Sequence, residues 1–181
     1  MSKKNKIYWF EGVTEKGVKA LLNDENSKYR WLRPQRNRRV LVLLMALGLV
    51  LTSLGSYWPT LKTNLNLTPE VGVLVYSVTA IFVIFAVVGV YSFLRIAVRS
   101  IADAPDELLD ERQIAVRNTS FRYAYFILSY ILFGLIVLVM FGPELKMFQP
   151  EGNDGSYVVI ANLFTYAALP SMVMAWREKD I

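Results

Sequence analysis

The chain has 181 residues, of which 54% are hydrophobic, and a net charge of +5. Its apolar residues form long uninterrupted runs instead of alternating with polar residues, a pattern typical of membrane-spanning helices and not of a soluble domain. It contains no His and no Cys, so the usual metal ligands, general base and thiol nucleophile are missing. We therefore expect no cofactor, no metal centre and no catalytic residue.

Residues 1–38 form a polar, basic segment before the first apolar run. Between residues 28 and 39 it combines six cations with two aromatic residues. This composition is typical of a juxtamembrane anchor, with the rings at headgroup level and the cations on anionic lipid. We favour this interpretation over a specific partner site or a nucleic-acid site. The predicted lipid anchor consists of Arg30, Trp31, Arg33, Arg36, Arg38 and Arg39.

Four apolar runs are long enough to cross a bilayer as helices, which takes about 20 residues each. The first is followed by an aromatic pair and a proline, and the third by Gly142 and Pro143, which are both signals for the end of a span. We therefore predict an all-α membrane protein with a four-helix transmembrane domain over residues 39–177. The predicted spans cover about 40–58, 71–94, 121–141 and 157–176.

The distribution of cations predicts the orientation of these spans. Nearly all Lys and Arg lie in the N-terminal flank, in the central loop 95–120 or close to it, and in the C-terminal tail, whereas the two other loops carry only Lys62 and Lys146. Cytoplasmic loops carry the excess of positive charge. We therefore expect both termini and the central loop on the cytoplasmic side of the membrane. Short loops between spans one and two and between three and four favour an antiparallel bundle.

The central loop contains an acid-rich run in an otherwise basic or apolar chain. Asp103 is a suitable N-cap, and Pro105 suits a first helical turn. From there no further breaker occurs before Gly142. These signals predict one helix of more than thirty residues that begins in the cytoplasm and continues into the third span. On that helix Asp106 with Asp110, and Glu107 with Glu111, would be like-charge pairs four residues apart, an unfavourable spacing.

Nearby cations could compensate these carboxylates. The favoured interpretation is a set of local ion pairs that clasps the cytoplasmic hairpin, and the next is a docking site for a partner subunit. Divalent-cation binding is disfavoured because the run lacks the glycine turn and alternating oxygen ligands of a calcium loop. The candidate clasp or docking residues are Arg95, Arg99, Asp106, Glu107, Asp110, Glu111, Arg112 and Arg117.

No predicted span has an ionisable residue at its centre, whereas transporters and pumps generally need one. The best intramembrane polar stripe is Asn162, Tyr166 and Pro170 in the fourth span. A hydrogen bond that fastens this helix to its neighbours is favoured over a substrate site.

The acidic run also resembles a segment of known proteins. Asp106-Glu107-Leu108-Leu109-Asp110-Glu111-Arg112-Gln113, with Arg117 and then Tyr123-Ala124-Tyr125 entering a span, is similar to the "DE-L-DERQ" segment of small multi-pass membrane proteins of actinobacteria. This resemblance covers a short part of the chain and implies no catalytic residues. Size, four spans and the lack of cofactor ligands are similar to those of small accessory subunits of the actinobacterial cytochrome bc–oxidase supercomplex.

Together these observations predict a non-catalytic accessory or scaffold subunit of a larger membrane complex. The resemblance to actinobacterial proteins implies a bacterial cytoplasmic membrane, and the similarity in size, span number and lack of cofactor ligands implies a respiratory complex. Its expected partners are anionic lipid headgroups and other integral membrane subunits, and no nucleic acid. The alternative is a small oligomeric transporter or channel that uses the polar stripe of the fourth span.

Overall fold

A computed structural model of the protein describes residues 7–8, 13–14, 27–55, 68–142 and 155–178. Its four long helices are α1 (Gln35–Leu54), α2 (Pro69–Ala97), α3 (Glu111–Phe141) and α4 (Gly155–Arg177). All four are long and apolar enough to cross a membrane, which confirms the predicted helical fold with four candidate spans. Two-residue strands, β1 (Ile7–Tyr8) and β2 (Val13–Thr14), pair antiparallel, and a short 3-10 helix, Ser27–Leu32, precedes α1.

Each helix is longer or begins earlier than the hydropathy alone indicates. α1 follows Pro34 and takes its first turn from polar residues. α2 has Pro69 at its start and Glu70 in its first turn, both of which suit a helix N-terminus. Residues 56–58, which were predicted to complete the first span, lie outside the described part of the chain.

The predicted start of α3 is wrong. Asp103 does not cap a helix; Asp106–Leu108 forms a separate 3-10 turn, Leu109 is extended, and Asp110 is the N-cap of α3. Asp110 and Gln113 form a capping box, in which each side chain accepts from the other's backbone N–H. The capping box satisfies two backbone N–H donors at the start of α3. It therefore favours a helix that begins after Asp110 over one that begins after Asp103. At 31 residues, α3 has the predicted length.

The helices pack as a row rather than as a closed bundle. α1 packs against α2, and α3 packs against α4, as expected for neighbours joined by short loops, and α1 also packs against α4. α4 also touches α2, but within the described residues α2 and α3 are at most marginally in contact. Accordingly 44% of the α4 span and 33% of the α1 span are buried, compared with 11% for α2 and 6% for α3. The pair α1 and α4 is therefore the centre of the molecule.

A cluster of buried apolar residues connects the helices at the end of the row where α2 ends. Between α2 and α3 the chain makes a turn over residues 98–104, and Val98, Ile101 and Ala104 of this turn are at most 3% exposed. They pack with Leu94 of α2 and Met174 of α4. The central loop is therefore a folded cap on the helices and not a solvated hairpin.

The outer surfaces of α2 and α3 are apolar and carry large side chains. Phe82 and Phe85 on α2 are 72% and 74% exposed, and Tyr130 and Phe133 on α3 are 75% and 66% exposed. In water such an apolar surface would promote aggregation, whereas in a membrane lipid tails or another helix can cover it.

Candidate functional site

The antiparallel helices gather four helix ends at one end of the molecule. The start of α1 meets the end of α4, because Arg38 donates from a terminal nitrogen to the carbonyl of Glu178 at 2.8 Å. The start of α3 also meets the end of α4, since the Arg177 guanidinium lies 4.0 Å from the centre of the Tyr123 ring. We call this the charged end. It holds all of the predicted clasp and anchor residues and is the candidate functional site.

An ion pair between Arg95 and Asp103 folds the end of α2 back on itself. Arg95 donates from Nε at 2.8 Å and from a terminal nitrogen at 2.7 Å, both to Oδ2 of Asp103. Arg95 is 7% exposed, and its guanidinium lies 5.6 Å from the centre of the Tyr91 ring. Burial raises the pKa of the Asp103 carboxyl, while the charge and hydrogen bond of Arg95 oppose that rise. The carboxylate therefore compensates a buried cation.

Arg117 ties α3 to the 98–104 turn. One terminal nitrogen donates to the carbonyl of Ala104 at 2.7 Å, and the other forms an ion pair with Asp106. The Arg117 side chain is 13% exposed and that of Asp106 is 71% exposed. An ion pair of the predicted kind thus forms between Arg117 and Asp106, whereas Arg95 pairs with Asp103, which lay outside the predicted set.

Asp110 acts as a cap. Its Oδ1 accepts from the backbone N–H of Gln113 at 2.7 Å, and its own N–H donates to Gln113 Oε1 at 3.2 Å. Because α3 begins at Glu111, Asp106 and Glu107 lie outside it. The predicted like-charge pairs four residues apart on one helix are therefore wrong.

The other predicted clasp residues lie at the surface or in the turn. Glu107, Glu111 and Arg112 are exposed, and Arg99 is half-buried with a φ of 54°. Together with Asp110, the two exposed glutamates make an acidic surface at the start of α3. We refer to Glu107, Asp110 and Glu111 as the acidic surface.

The predicted lipid anchor is exposed at four positions. Arg30, Trp31, Arg36 and Arg39 all face outward, and Trp31 is 57% exposed with its ring 6.3 Å from that of Phe93. The Arg39 guanidinium also lies 5.2 Å from the centre of a tryptophan ring at the end of α4. These residues form a basic and aromatic surface beside the start of α1.

Arg38 differs from the prediction, because it is 1% exposed and bonds within the protein. It belongs to the face of α1 that also carries Leu41, Val42 and Met45 and that packs into the core. A residue one helical turn before an inward apolar face points inward as well. Arg33 is half-buried, and burial together with the charge of Arg99 lowers its pKa.

The predicted polar stripe of α4 is divided between two cavities. Asn162 lines a cavity of about 400 Å³ between α1, α3 and α4. Its Nδ2 donates to the Val158 carbonyl at 2.8 Å, a bond within α4, so it does not fasten the helix to a neighbour as predicted. Tyr166 and Pro170 line a second cavity of about 150 Å³ between α2, α3 and α4. The three residues do not form one site.

Sequence reasoning missed Asp103 as the partner of Arg95, and it missed the buried turn. A signal was present, because the residues at 98, 101, 102 and 104 are all apolar although they belong to the predicted central loop. Short apolar residues in a loop beside a span indicate that the loop packs on the helices.

Within residues 27–55, 68–142 and 155–178 and the two short strands, no three Asp or Glu side chains are grouped so that they could hold a metal ion. Comparison of the chain with protein-family models, with curated proteins and with solved structures found no match. The function is therefore argued from the geometry of the charged end and from the exposed helices.

Proposed function

We propose that the protein is a non-catalytic accessory or scaffold subunit of a larger membrane complex in a bacterial cytoplasmic membrane. The observation that carries this proposal is α3, of whose span only 6% is buried. It has α4 as its one extensive neighbour among the described helices, and its outer face carries exposed Phe126, Tyr130 and Phe133. Rigid aromatic side chains are typical anchors of protein interfaces.

The charged end is the cytoplasmic end in this proposal. Cations concentrate there, and the positive-inside rule then puts both termini in the cytoplasm. α3 has 31 residues, which at about 1.5 Å per residue exceeds a hydrocarbon core of about 30 Å by roughly ten residues. Its first third therefore extends into the cytoplasm and holds the acidic surface above the membrane.

Charge favours a protein over lipid on this part of α3. Anionic headgroups are repelled by the acidic surface, whereas a partner helix that ends in the cytoplasm carries Lys or Arg there by the same positive-inside rule. The exposed arginines beside α1, Arg30, Arg36 and Arg39, suit anionic lipid instead. The two surfaces thus orient the subunit, with lipid near α1 and a partner near α3. The chain's size, its four spans and its lack of cofactor ligands, which are similar to those of small respiratory accessory subunits, support a respiratory complex as that partner.

Purification in mild detergent tests this proposal. We expect other integral membrane subunits to co-purify at fixed stoichiometry. A stable monomer, or an oligomer of this chain alone, would contradict the proposal.

A double variant, Glu107→Gln with Glu111→Gln, tests the acidic surface and leaves the Asp110 cap intact. We expect a several-fold lower yield of co-purified partner at moderate salt, since two compensating charges are lost. Glu70→Gln is the matched control, because Glu70 is an exposed carboxylate at the other end of the molecule.

The second candidate function, a small oligomeric transporter or channel, is favoured by the cavity of about 400 Å³ that Asn162 and Thr165 help to line. Both side chains donate to carbonyls of α4 itself, at 2.8 and 2.7 Å, which leaves them less suited to a substrate. Substrate flux in liposomes that disappears in Asn162→Leu would favour this candidate over the accessory subunit.

A further inference from the structure

A cavity of about 150 Å³ occupies the gap between α2 and α3, below the 98–104 turn and beside α4. We call it the aromatic cavity. It is lined by Tyr91, Asp103, Phe121, Ala124, Tyr125, Leu128, Tyr166, Ala167, Leu169 and Pro170. It lies next to the charged end, where a bilayer has its headgroups if that end is the membrane surface. Three tyrosines and one carboxylate in a small apolar space are an unusual lining, and neither the clasp nor the anchor uses it.

The ion pair between Arg95 and Asp103 uses only one of the two carboxylate oxygens of Asp103. Both hydrogen bonds from Arg95 go to Oδ2. Among the described residues no donor reaches Oδ1, and the side chain is 32% exposed, in a position that lines the cavity. A carboxylate has acceptor capacity for several donors, so this oxygen can take another one.

Besides the three tyrosine hydroxyls, the cavity has a backbone acceptor and the faces of the tyrosine rings. Pro170 has no N–H, so it cannot donate to the carbonyl of Tyr166 one turn earlier in α4. The Tyr91 hydroxyl donates to the carbonyl of Ala167 in α4 at 3.4 Å. Tyrosine rings carry negative charge on their faces. No Lys or Arg belongs to the lining. The Arg95 guanidinium already pairs with Asp103 Oδ2 and lies 5.6 Å from the centre of the Tyr91 ring. The groups left to suit a positively charged donor are therefore Oδ1 of Asp103 and the ring faces of Tyr125 and Tyr166.

We propose that the aromatic cavity binds a primary ammonium group, such as that of an ethanolamine headgroup, with Oδ1 of Asp103 as the hydrogen-bond acceptor and the rings of Tyr125 and Tyr166 beside it. A cavity of about 150 Å³ holds a group the size of a benzene ring, which is enough for such a headgroup. Ammonium groups over aromatic faces are stabilised by the ring quadrupole.

The proposal makes a distinction between ammonium groups. A primary ammonium donates hydrogen bonds to Oδ1, whereas a trimethylammonium has no N–H and is larger. The full-length protein is reconstituted in nanodiscs of phosphatidylglycerol with either phosphatidylethanolamine or phosphatidylcholine, and retained lipid is measured by native mass spectrometry. We expect retention of phosphatidylethanolamine well above that of phosphatidylcholine. Equal retention of the two lipids overturns the proposal of a lipid headgroup.

Two variants test the residues. Asp103→Asn should lower retention of phosphatidylethanolamine roughly tenfold, as expected for loss of a hydrogen bond to a charged group. Its control is Asp106→Asn, an exposed carboxylate outside the cavity. Tyr166→Leu, at a position 59% exposed, removes one ring without disturbing the core, and Tyr130→Leu is its control on the outer face. If Asp103→Asn does not fold, the Tyr166 pair decides; retention in Tyr166→Leu equal to that in Tyr130→Leu overturns the proposal.

The ammonium group could come from a lipid or from a free amine in the cytoplasm, and a third arm separates these sources. Millimolar ethanolamine is added to the protein in phosphatidylglycerol nanodiscs, and thermal stability is recorded. A rise in Tm in the native protein but not in Asp103→Asn, without lipid selectivity, assigns the site to a free amine. Lipid selectivity without a response to ethanolamine assigns it to the headgroup. The absence of both responses overturns the proposal for either source.

Discussion

At the scale of single residues, the 98–104 turn depends on two positions with left-handed backbone. Arg99 and Ser100 both have a φ of 54°, and Ser100 is 6% exposed. The N–H of Ser100 donates to the Arg95 carbonyl at 2.8 Å, which closes the end of α2. Non-glycine residues in this region store about 1–3 kcal/mol of strain, which the buried apolar residues of the turn must offset.

Ser100→Val should therefore destabilise the protein, because a β-branched side chain is poorly tolerated at positive φ. Ser100→Gly should retain the native Tm or raise it, since glycine adopts this conformation without strain. Thermal unfolding in detergent, followed by tryptophan fluorescence, measures both variants. Equal Tm values for Ser100→Val and Ser100→Gly would contradict the left-handed conformation.

Asp103 allows a prediction about pH. Burial raises its pKa in the folded protein, so the folded state binds this proton more tightly than the unfolded state. The contribution of Asp103 to the free energy of unfolding is therefore greatest at low pH and decreases as pH rises through the folded pKa.

The comparison of native protein with Asp103→Asn isolates this contribution, because the variant lacks the titrating group. We expect the stability of the native protein relative to the variant to fall as pH rises from about 4, near the ordinary pKa of an aspartate, toward neutral pH, in detergent free of amines. A relative stability that increases with pH would mean that the ion pair with Arg95 outweighs the effect of burial.

Several residue-scale features were beyond sequence reasoning for a physical reason. The basic run before α1 reads as one anchor, but Arg38 is buried because the helix phase turns it toward α4. Hydropathy shows only that this run is polar. It does not show which side chain of the run faces inward. The pairing of Arg95 with Asp103 likewise depends on the path of the turn. In contrast, Arg117 and Asp106, which form an ion pair, were both among the clasp residues predicted from the sequence.

At the scale of elements, the start of α3 depends on the capping box. Asp110→Ala should cost about 1 kcal/mol, the usual cost of losing an N-cap. We expect a lower Tm and faster amide hydrogen exchange in the first turn of α3, with the rest of the helix unaffected. Glu107→Ala is the control, since Glu107 lies in the preceding 3-10 turn. Similar exchange in the two variants would mean that the helix start depends on other contacts.

The contact between α1 and α2 allows a second element-scale prediction. A Cβ at Gly48 would lie 2.8 Å from a methyl carbon of Val87, whereas a Cβ at Gly134 of α3 would meet nothing within 4 Å. Valine is stiff in a helix, so α1 and α2 must separate to accept the extra methyl. Gly48→Ala should lower the Tm in detergent and Gly134→Ala should not. A Tm for Gly48→Ala at or above that of Gly134→Ala would contradict this close approach.

Elements were the scale at which the sequence was most informative. Long apolar runs locate the four helices because lipid leaves a spanning segment few other conformations. Their ends were less predictable, because capping, proline and packing decide them. The competition between Asp103 and Asp110 as caps is the clearest case: both have suitable sequence signals, and tertiary pairing of Asp103 with Arg95 decides in favour of Asp110.

At the scale of the whole molecule, the short loops correctly indicated that α1 and α2, and α3 and α4, are neighbours. They did not indicate that α1 and α4 form the central pair. Small residues of α4 take part in that pairing. Ala168 packs in one cluster with Met45 and Leu49 of α1, and Ala175 in another with Leu41 and Val42. Small side chains let two helices approach closely in a membrane.

The central position of α4 has a consequence for biosynthesis. It is the most buried span and follows the other three along the chain, so it emerges from the ribosome after them. Until it inserts, α3 lacks its one extensive neighbour among the described helices, and the 98–104 turn lacks its contact with Met174. α1 and α2 can pack on each other before that point, whereas the faces of α1 and α3 that α4 covers stay open until it inserts. During that interval their unfilled surfaces are accessible to insertion factors, membrane chaperones and quality-control proteases.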